Sequence, residues 1–338
     1  MKGLSESLVA AKWKVPSDLS RSFFGFPPLL RYTQELIGGD PDRDCYQWTV
    51  DTYLGDRLPV ARALSLACGH GHVERLLAER GVFKVCLGLD LAPGAIEQAR
   101  QLAAEGGFEN LRYQVADLNR LELEPASFDL ILAVGALHHV TELEHVLDEV
   151  YRALEPGGLL VANEYIGLDR WQVSPRQYEL INAAIHLIPP DLRERREENH
   201  WPAWLWPLAK LEPRLARRRL NPLAPLHALR RLLTRRPPFG RLYDPPPPWY
   251  WRLRDPSEGV HASQIVSSIQ QRFDDVNVRP YNGSILYFAL DQAFFERYDD
   301  SNPRHRRVLD LLCEIERELI ALGEVPSAAA HIVARKPG

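Results

Sequence analysis

The sequence predicts an α/β fold built on a doubly wound parallel sheet, and three observations predict it. Short apolar runs near residues 63–66, 85–90, 111–117, 128–134 and 159–164 each read as a strand. Amphipathic stretches at 73–80, 93–105 and 143–153 fall between them with helical spacing. The first strand breaks into two glycines spaced G-x-G, the turn through which such a sheet hands its chain to a helix. Strands alternating with helices at this spacing place the strands parallel and put helices on both faces.

The first element, Ala63-Leu-Ser-Leu-Ala-Cys-Gly-His-Gly-His-Val-Glu74, runs from strand through tight turn into helix. Such a turn lets a ligand approach bare backbone at the carboxyl edge of the sheet. The second strand, Val85-Cys-Leu-Gly-Leu-Asp90, ends in a carboxylate that can take both hydroxyls of a ribose. The third, Leu111-Arg-Tyr-Gln-Val-Ala-Asp117, also ends in an acid. The fourth, Phe128–Val134, leads into Gly135-Ala-Leu-His-His139. A turn at Leu154-Glu-Pro-Gly-Gly158 leads into the fifth, Leu159-Leu-Val-Ala-Asn-Glu164, with Tyr165 at its end. Asp90 and Asp117 also suit plain strand-end turns.

Charge narrows the ligand. A dinucleotide site needs a third glycine three positions after the second, with a helix N-terminus open to pyrophosphate. Glu74 stands there. An acid in the first helical turn suits the helix dipole but repels a diphosphate. S-adenosylmethionine (SAM) has no phosphate and carries a sulfonium cation, so an acid-tolerant glycine turn suits it better.

The order and spacing of these motifs resemble the class I SAM-dependent methyltransferases of the small-molecule type, over about residues 60–165 and more loosely over 262–335. The resemblance implies a Rossmann-like, seven-stranded, mostly parallel sheet whose sixth and seventh strands, near 275–279 and 331–335, form an antiparallel edge pair. It implies that Ala67, Cys68, Gly69 and Gly71 pass against the methionine part of the cofactor, and that Asp90 binds the ribose with Leu91 beside the adenine. Asp117 would take the adenine amino group, flanked by Leu118. Val134 and Gly135 would form the floor under the sulfonium. Two positions depart from the family, which often has an acid at Ser65 and a glycine at Ala67. The amino end of the cofactor is then held differently, by backbone carbonyls or by groups from the N-terminal segment.

The core is expected at 61–166 and 262–338, with an N-terminal helical segment at 1–60 that includes a helix near 45–54. A helix is also expected at 263–273. A large helical insertion after strand five, 167–261, is expected to act as a substrate lid, and a smaller one, about 285–322, precedes strand seven. The large insertion holds Trp171, Trp201, Trp204, Trp206, Trp249 and Trp251, six of the eight tryptophans, which read as an apolar wall or as the insertion's own core. It also holds ten basic residues against one acid between Lys210 and Arg241, a segment of +9 in a chain of net −4. That segment fits an anionic or carrier-bound substrate, an anionic membrane surface, or a solvated helix face. No motif of the usual nucleic-acid-binding folds accompanies it.

Cys45, Cys68, Cys86 and Cys313 show no metal or redox spacing, and the first residues lack the apolar core of a signal peptide. A cytoplasmic enzyme with reduced thiols is expected, with no metal assigned.

Methyl transfer from a sulfonium is an in-line displacement that needs an aligned nucleophile and, for a hydroxyl acceptor, a base. His138 is the first candidate base, because Leu137 should point into the core before the chain turns; His139 is beside it. Glu164 and Tyr165 are second candidates for contacting the acceptor, with His200 and His261 further off. No Asn/Asp-Pro-Pro-Tyr/Phe follows strand four, which leaves oxygen methylation of a small molecule, a secondary metabolite or glycan precursor, as the default, with nitrogen and carbon acceptors open. The product would be S-adenosylhomocysteine. A macromolecule methyltransferase holding RNA on the basic segment, and a SAM-binding protein with non-methylating chemistry or none, stay open as alternatives.

Overall fold

The computed structural model describes Phe23, residues 25–193 and residues 242–338. Its centre is one sheet of seven strands: β1 (Val60–Leu66), β2 (Phe83–Asp90), β3 (Leu111–Val115), β4 (Phe128–Val134), β5 (Leu154–Tyr165), β6 (Asp275–Pro280) and β7 (Ala329–Arg335). The spatial order is β3-β2-β1-β4-β5-β7-β6. The first five strands pair in parallel, and β7 enters antiparallel between β5 and β6.

The middle strands are covered on both faces, which is why they read as unbroken apolar runs rather than alternating ones. Leu130, Ile131, Leu132 and Ala133 of β4 are all buried. One face packs against helices Leu143–Ala153 and Ile265–Gln270. The other packs against helices His72–Glu79 and Pro93–Glu105 and the segment around Trp48. A separate apolar cluster joins helices Pro27–Gly38, Pro175–Leu187 and Pro303–Ala321 through Leu29, Ile181, Phe294 and Leu312.

Several expected boundaries move, each for a local reason. β3 stops at Val115 because Asp117 caps a 3-10 turn at Leu118–Arg120 that leads the chain away from the sheet. β5 begins five residues earlier than the apolar run, at Leu154, whose pairing with Phe128 is followed by a register shift. The helix expected at 45–54 is α-helical only over Cys45–Thr49 and widens into a π turn at Val50–Leu54 before Gly55 turns at φ 44°. The helix expected at 263–273 forms over Ile265–Gln270. Between β6 and β7 lie three helices, Leu286–Ala289, Gln292–Arg297 and Pro303–Ala321.

The N-terminal segment is pinned to β7 by one buried contact. Thr49 Oγ1 donates to Cys45 O at 2.8 Å, so at 2.7 Å it accepts from His331 Nε2. That fixes the His331 tautomer and leaves Nδ1 bare, with no partner among the described residues. Burial lowers the His331 pKa to about 4.

Of the expected lid, residues 168–193 and 242–261 are described; Trp201, Trp204, Trp206, His200 and the basic segment 210–241 lie outside the described residues. All four cysteines are free thiols, and burial pushes Cys45 up to about 12. No helix among the described residues is long and apolar enough to cross a membrane.

Candidate functional site

A cavity of about 1930 Å³ opens over the carboxyl ends of β1, β2 and β4, where ligands bind in sheets of this kind. Its lining includes Ala67, Cys68, Gly69, Asp90, Leu91, Asp117, Leu118, Val134, Gly135, His138, His139, Glu164 and Tyr165, all expected from the sequence. Gly71 is not on the lining; it starts the helix behind the turn.

The turn after β1 runs through left-handed conformations at Ala67 (φ 49°), Gly69 (φ 52°) and Gly71 (φ 72°). A Cβ on Gly71 would overlap the Tyr113 hydroxyl, so packing as well as conformation demands glycine there. Ala67 carries a side chain in a region glycine takes at no cost. Asp90 holds the turn in place: Oδ2 accepts from Gly69 N at 2.9 Å and Oδ1 from Ala92 N at 2.8 Å. Each oxygen keeps a further lone pair for a ligand hydroxyl. Asp117 is braced through Oδ1 by the backbone and amide of Asn119, and Asn119 in turn receives Thr141 and Glu142.

A second acid cluster stands on the β4–β5 side. Glu164 is buried at the end of β5. Its Oε1 accepts from Ala136 N (2.7 Å) and Leu137 N (2.8 Å), and Oε2 lies 2.7 Å from His138 Nδ1. The carboxylate therefore takes the proton of Nδ1 as a hydrogen bond and leaves Nε2 with the lone pair. His138 Nε2 lies 3.8 Å from Glu258 Oε1. Glu258 Oε1 also accepts from Trp171 Nε1 at 2.8 Å.

Trp171 is the centre of an aromatic wall. Its ring stacks on Tyr165 at 3.8 Å and on Tyr287 at 4.7 Å, and its edge meets His138. Arg170 and Trp171 both hold positive φ, and the 255–260 segment clamps them: Arg170 N donates to Gly259 O, and Arg170 Nη1 donates to Pro256 O. Tyr165 donates its hydroxyl to Leu168 O, so it offers the cavity a ring face rather than a proton. His261 is not on the lining.

His138, His139 and Glu258 bring one nitrogen or oxygen each within 4.8 Å of one another, a group that could hold a cation. The two imidazoles are tilted to each other, with centroids 4.2 Å apart and planes 37° apart.

Glu74 stands apart from these. It is buried, lines the cavity next to Ser65, and has one oxygen, Oε2, without a partner among the described residues. Burial first, and then the neighbouring Asp90 charge, raise its pKa. A cavity bordered by Glu74, Asp90, Asp117, Glu164 and Glu258 fits a cofactor with a sulfonium and an ammonium. It does not fit a diphosphate.

Sequence reasoning missed Glu258, Tyr287 and Asn163 as lining residues. None carries a local signal: Glu258 reaches His138 across 120 positions of chain, and only folding joins them.

Residues 64–162 match the family model described as a methyltransferase domain. Malonyl-(acyl-carrier protein) O-methyltransferase of Serratia marcescens is 32% identical over 108 residues, 32% of this chain and 40% of that protein. Demethylmenaquinone methyltransferase of Thermus thermophilus is 35% identical over 104 residues, 31% of this chain and 47% of that one. The chain thus spans less than half the length of these curated relatives. The solved phosphoethanolamine N-methyltransferase 2 of Haemonchus contortus, with S-adenosyl-L-methionine, is 15% identical at a TM-score of 0.47, covering 96% of this chain and 61% of that one. The matched residues form a class I SAM-dependent methyltransferase domain, and SAM is its cofactor.

Proposed function

With that domain as premise, we propose that the chain methylates a hydroxyl oxygen of a small molecule, a secondary metabolite or glycan precursor, and that His138 is the base. The observation that carries this reading is the His138–Glu164 contact of 2.7 Å at the edge of the cavity. A histidine fixed through Nδ1 presents Nε2 to whatever binds beside the floor at Val134 and Gly135.

Bound SAM supplies an electrophilic methyl group on a positively charged sulfur. The chain supplies the rest. The Gly69 turn and Asp90 position the cofactor, and Trp171, Tyr165 and Tyr287 shape an apolar wall that favours a ring-bearing or apolar acceptor and excludes water. As the acceptor oxygen takes the methyl group that SAM would supply, with S-adenosylhomocysteine as the leaving product, its hydroxyl proton would pass to His138 Nε2. Glu164 steadies the imidazolium that results, and its two backbone N–H contacts keep it from turning away. The names of the curated relatives do not fix the acceptor atom for this chain, so it rests on this geometry.

The test is turnover of SAM to S-adenosylhomocysteine against a panel of small hydroxylated acceptors, with His138→Ala and Glu164→Gln alongside. A His138→Ala variant that turns over at the wild-type rate would remove histidine from the mechanism. Activity only on RNA, with steep salt dependence, would favour a macromolecular acceptor.

A further inference from the structure

We propose that Glu74 is the anchor for the cofactor's α-ammonium group, with Ser65 as its positioning residue; this rests on SAM being the ligand of the cavity. Three glutamates of the domain and its flanks are almost fully buried: Glu74, Glu164 and Glu316. Two of them are satisfied by the protein. Glu164 takes Ala136 N, Leu137 N and His138, and Glu316 takes Gly283 N, Ile285 N and Leu286 N. Both clamp a loop to the fold, and neither has a bare oxygen. Glu74 Oε2 is the one buried carboxylate oxygen without a partner among the described residues. Glu74, like Glu164, borders the cavity, whereas Glu316 does not.

A bare carboxylate oxygen out of water costs more than a satisfied one, and the cost is recovered when a cation arrives. Among the described residues none bonds Oε2, although the nearby Arg75 charge favours the ionised carboxylate. Arg75, the next residue, spends its guanidinium on His70 O at 2.6 Å, and Arg80 is paired with Asp44. Helping groups are in place instead. Ser65 stands beside the Glu74 carboxylate and favours its charged form, and Glu74 sits in the first turn of its helix, where the dipole favours a negative charge.

Position decides which cation. Ser65 is one residue short of the end of β1 and is paired with Gly88 of β2, two residues before Asp90. Neighbouring strands lie roughly 4.8 Å apart, so Glu74 and Asp90 act on adjacent points under one glycine turn. A ligand with two hydroxyls near Asp90 and a cation near Glu74 meets both. SAM offers its ribose to the first and its α-ammonium to the second.

The test is calorimetric binding to the full chain of S-adenosylhomocysteine and of 5′-methylthioadenosine, which shares the adenosine and the sulfur but lacks the amino-acid end. Glu74→Gln should weaken S-adenosylhomocysteine by about tenfold to a hundredfold, the scale of a hydrogen bond between charged groups. Binding of 5′-methylthioadenosine should stay within about twofold of wild type, since it makes no contact there. Adding Ser65→Asp to Glu74→Gln should return part of the loss by restoring an acid at the same point. An equal loss for both ligands, or no loss for either, overturns the assignment. Should Glu74→Gln not fold, Ser65→Ala must show the same ligand selectivity on a smaller scale, and an unselective Ser65→Ala overturns it too. A wild-type chain that binds neither compound overturns the cofactor reading itself and this assignment with it.

Discussion

The two ends of the cavity are built in different ways. The cofactor end is made of residues close in sequence: the turn 67–71, Glu74 and Asp90, held by backbone contacts between adjacent strands. The acceptor end joins His138 to Glu164 across 26 positions and to Glu258 across 120, with Trp171 and Tyr287 closing the wall. A locally encoded site tolerates change elsewhere, because its geometry is fixed by one turn. A site assembled from distant segments depends on every packing contact that brings them together. Substitutions at one end should therefore leave the other intact.

The largest effect expected is at the acceptor end. His138→Ala should lower the methylation rate by roughly 10²–10⁴-fold, the usual contribution of a positioned base, with SAM affinity unchanged by calorimetry. A fall in SAM affinity of the same size would merge the two ends into one unit.

The link between the N-terminal segment and the sheet should show in pH dependence. His331 has an ordinary pKa of 6.5 and a folded value of about 4, so the unfolded chain binds the extra proton first. Its contribution is full above 6.5 and is lost as pH falls from there toward 4. Chemical denaturation should show about 2 kcal/mol lost between about pH 7.5 and about pH 5 from this group. His331→Gln should flatten that dependence. An unchanged slope would mean that the buried imidazole does not resist protonation.

At the cofactor end, Asp90→Ala should weaken SAM binding by roughly 1.5–3 kcal/mol and leave the rate at saturating cofactor near normal. Unaltered affinity would reduce Asp90 to a brace for the turn. The smallest change expected is Ala67→Gly, which relieves a left-handed alanine and should raise stability by about 1 kcal/mol or less. A destabilised variant would show that the Ala67 methyl packs more than it strains.

The fold was legible because its evidence is contiguous. Each apolar run marks one strand of β1 to β5, and the helices at 93–105 and 143–153 match the sequence reading to the residue. Asp90 and Asp117 could be placed because a strand end is a fixed point. Boundaries that depend on partners were not legible. β5 extends back to Leu154 through a Pro-Gly-Gly turn that no propensity scale favours, because Phe128 is there to pair with it.

The sequence alone determined the sheet, the glycine turn and the acid that replaces a third glycine, since turn chemistry and strand periodicity act between near neighbours. It also marked His138 as a candidate. Tertiary structure decided which nitrogen of that imidazole faces which acid, Nδ1 to Glu164 and Nε2 to Glu258, because both reach it only through folding. It decided that Glu74 is buried at the cavity with one oxygen that has no partner among the described residues, while Glu316 is filled by backbone N–H groups and Glu164 by backbone N–H groups and His138. Burial and hydrogen-bond saturation are properties of what surrounds a side chain, and those surroundings come from the whole chain.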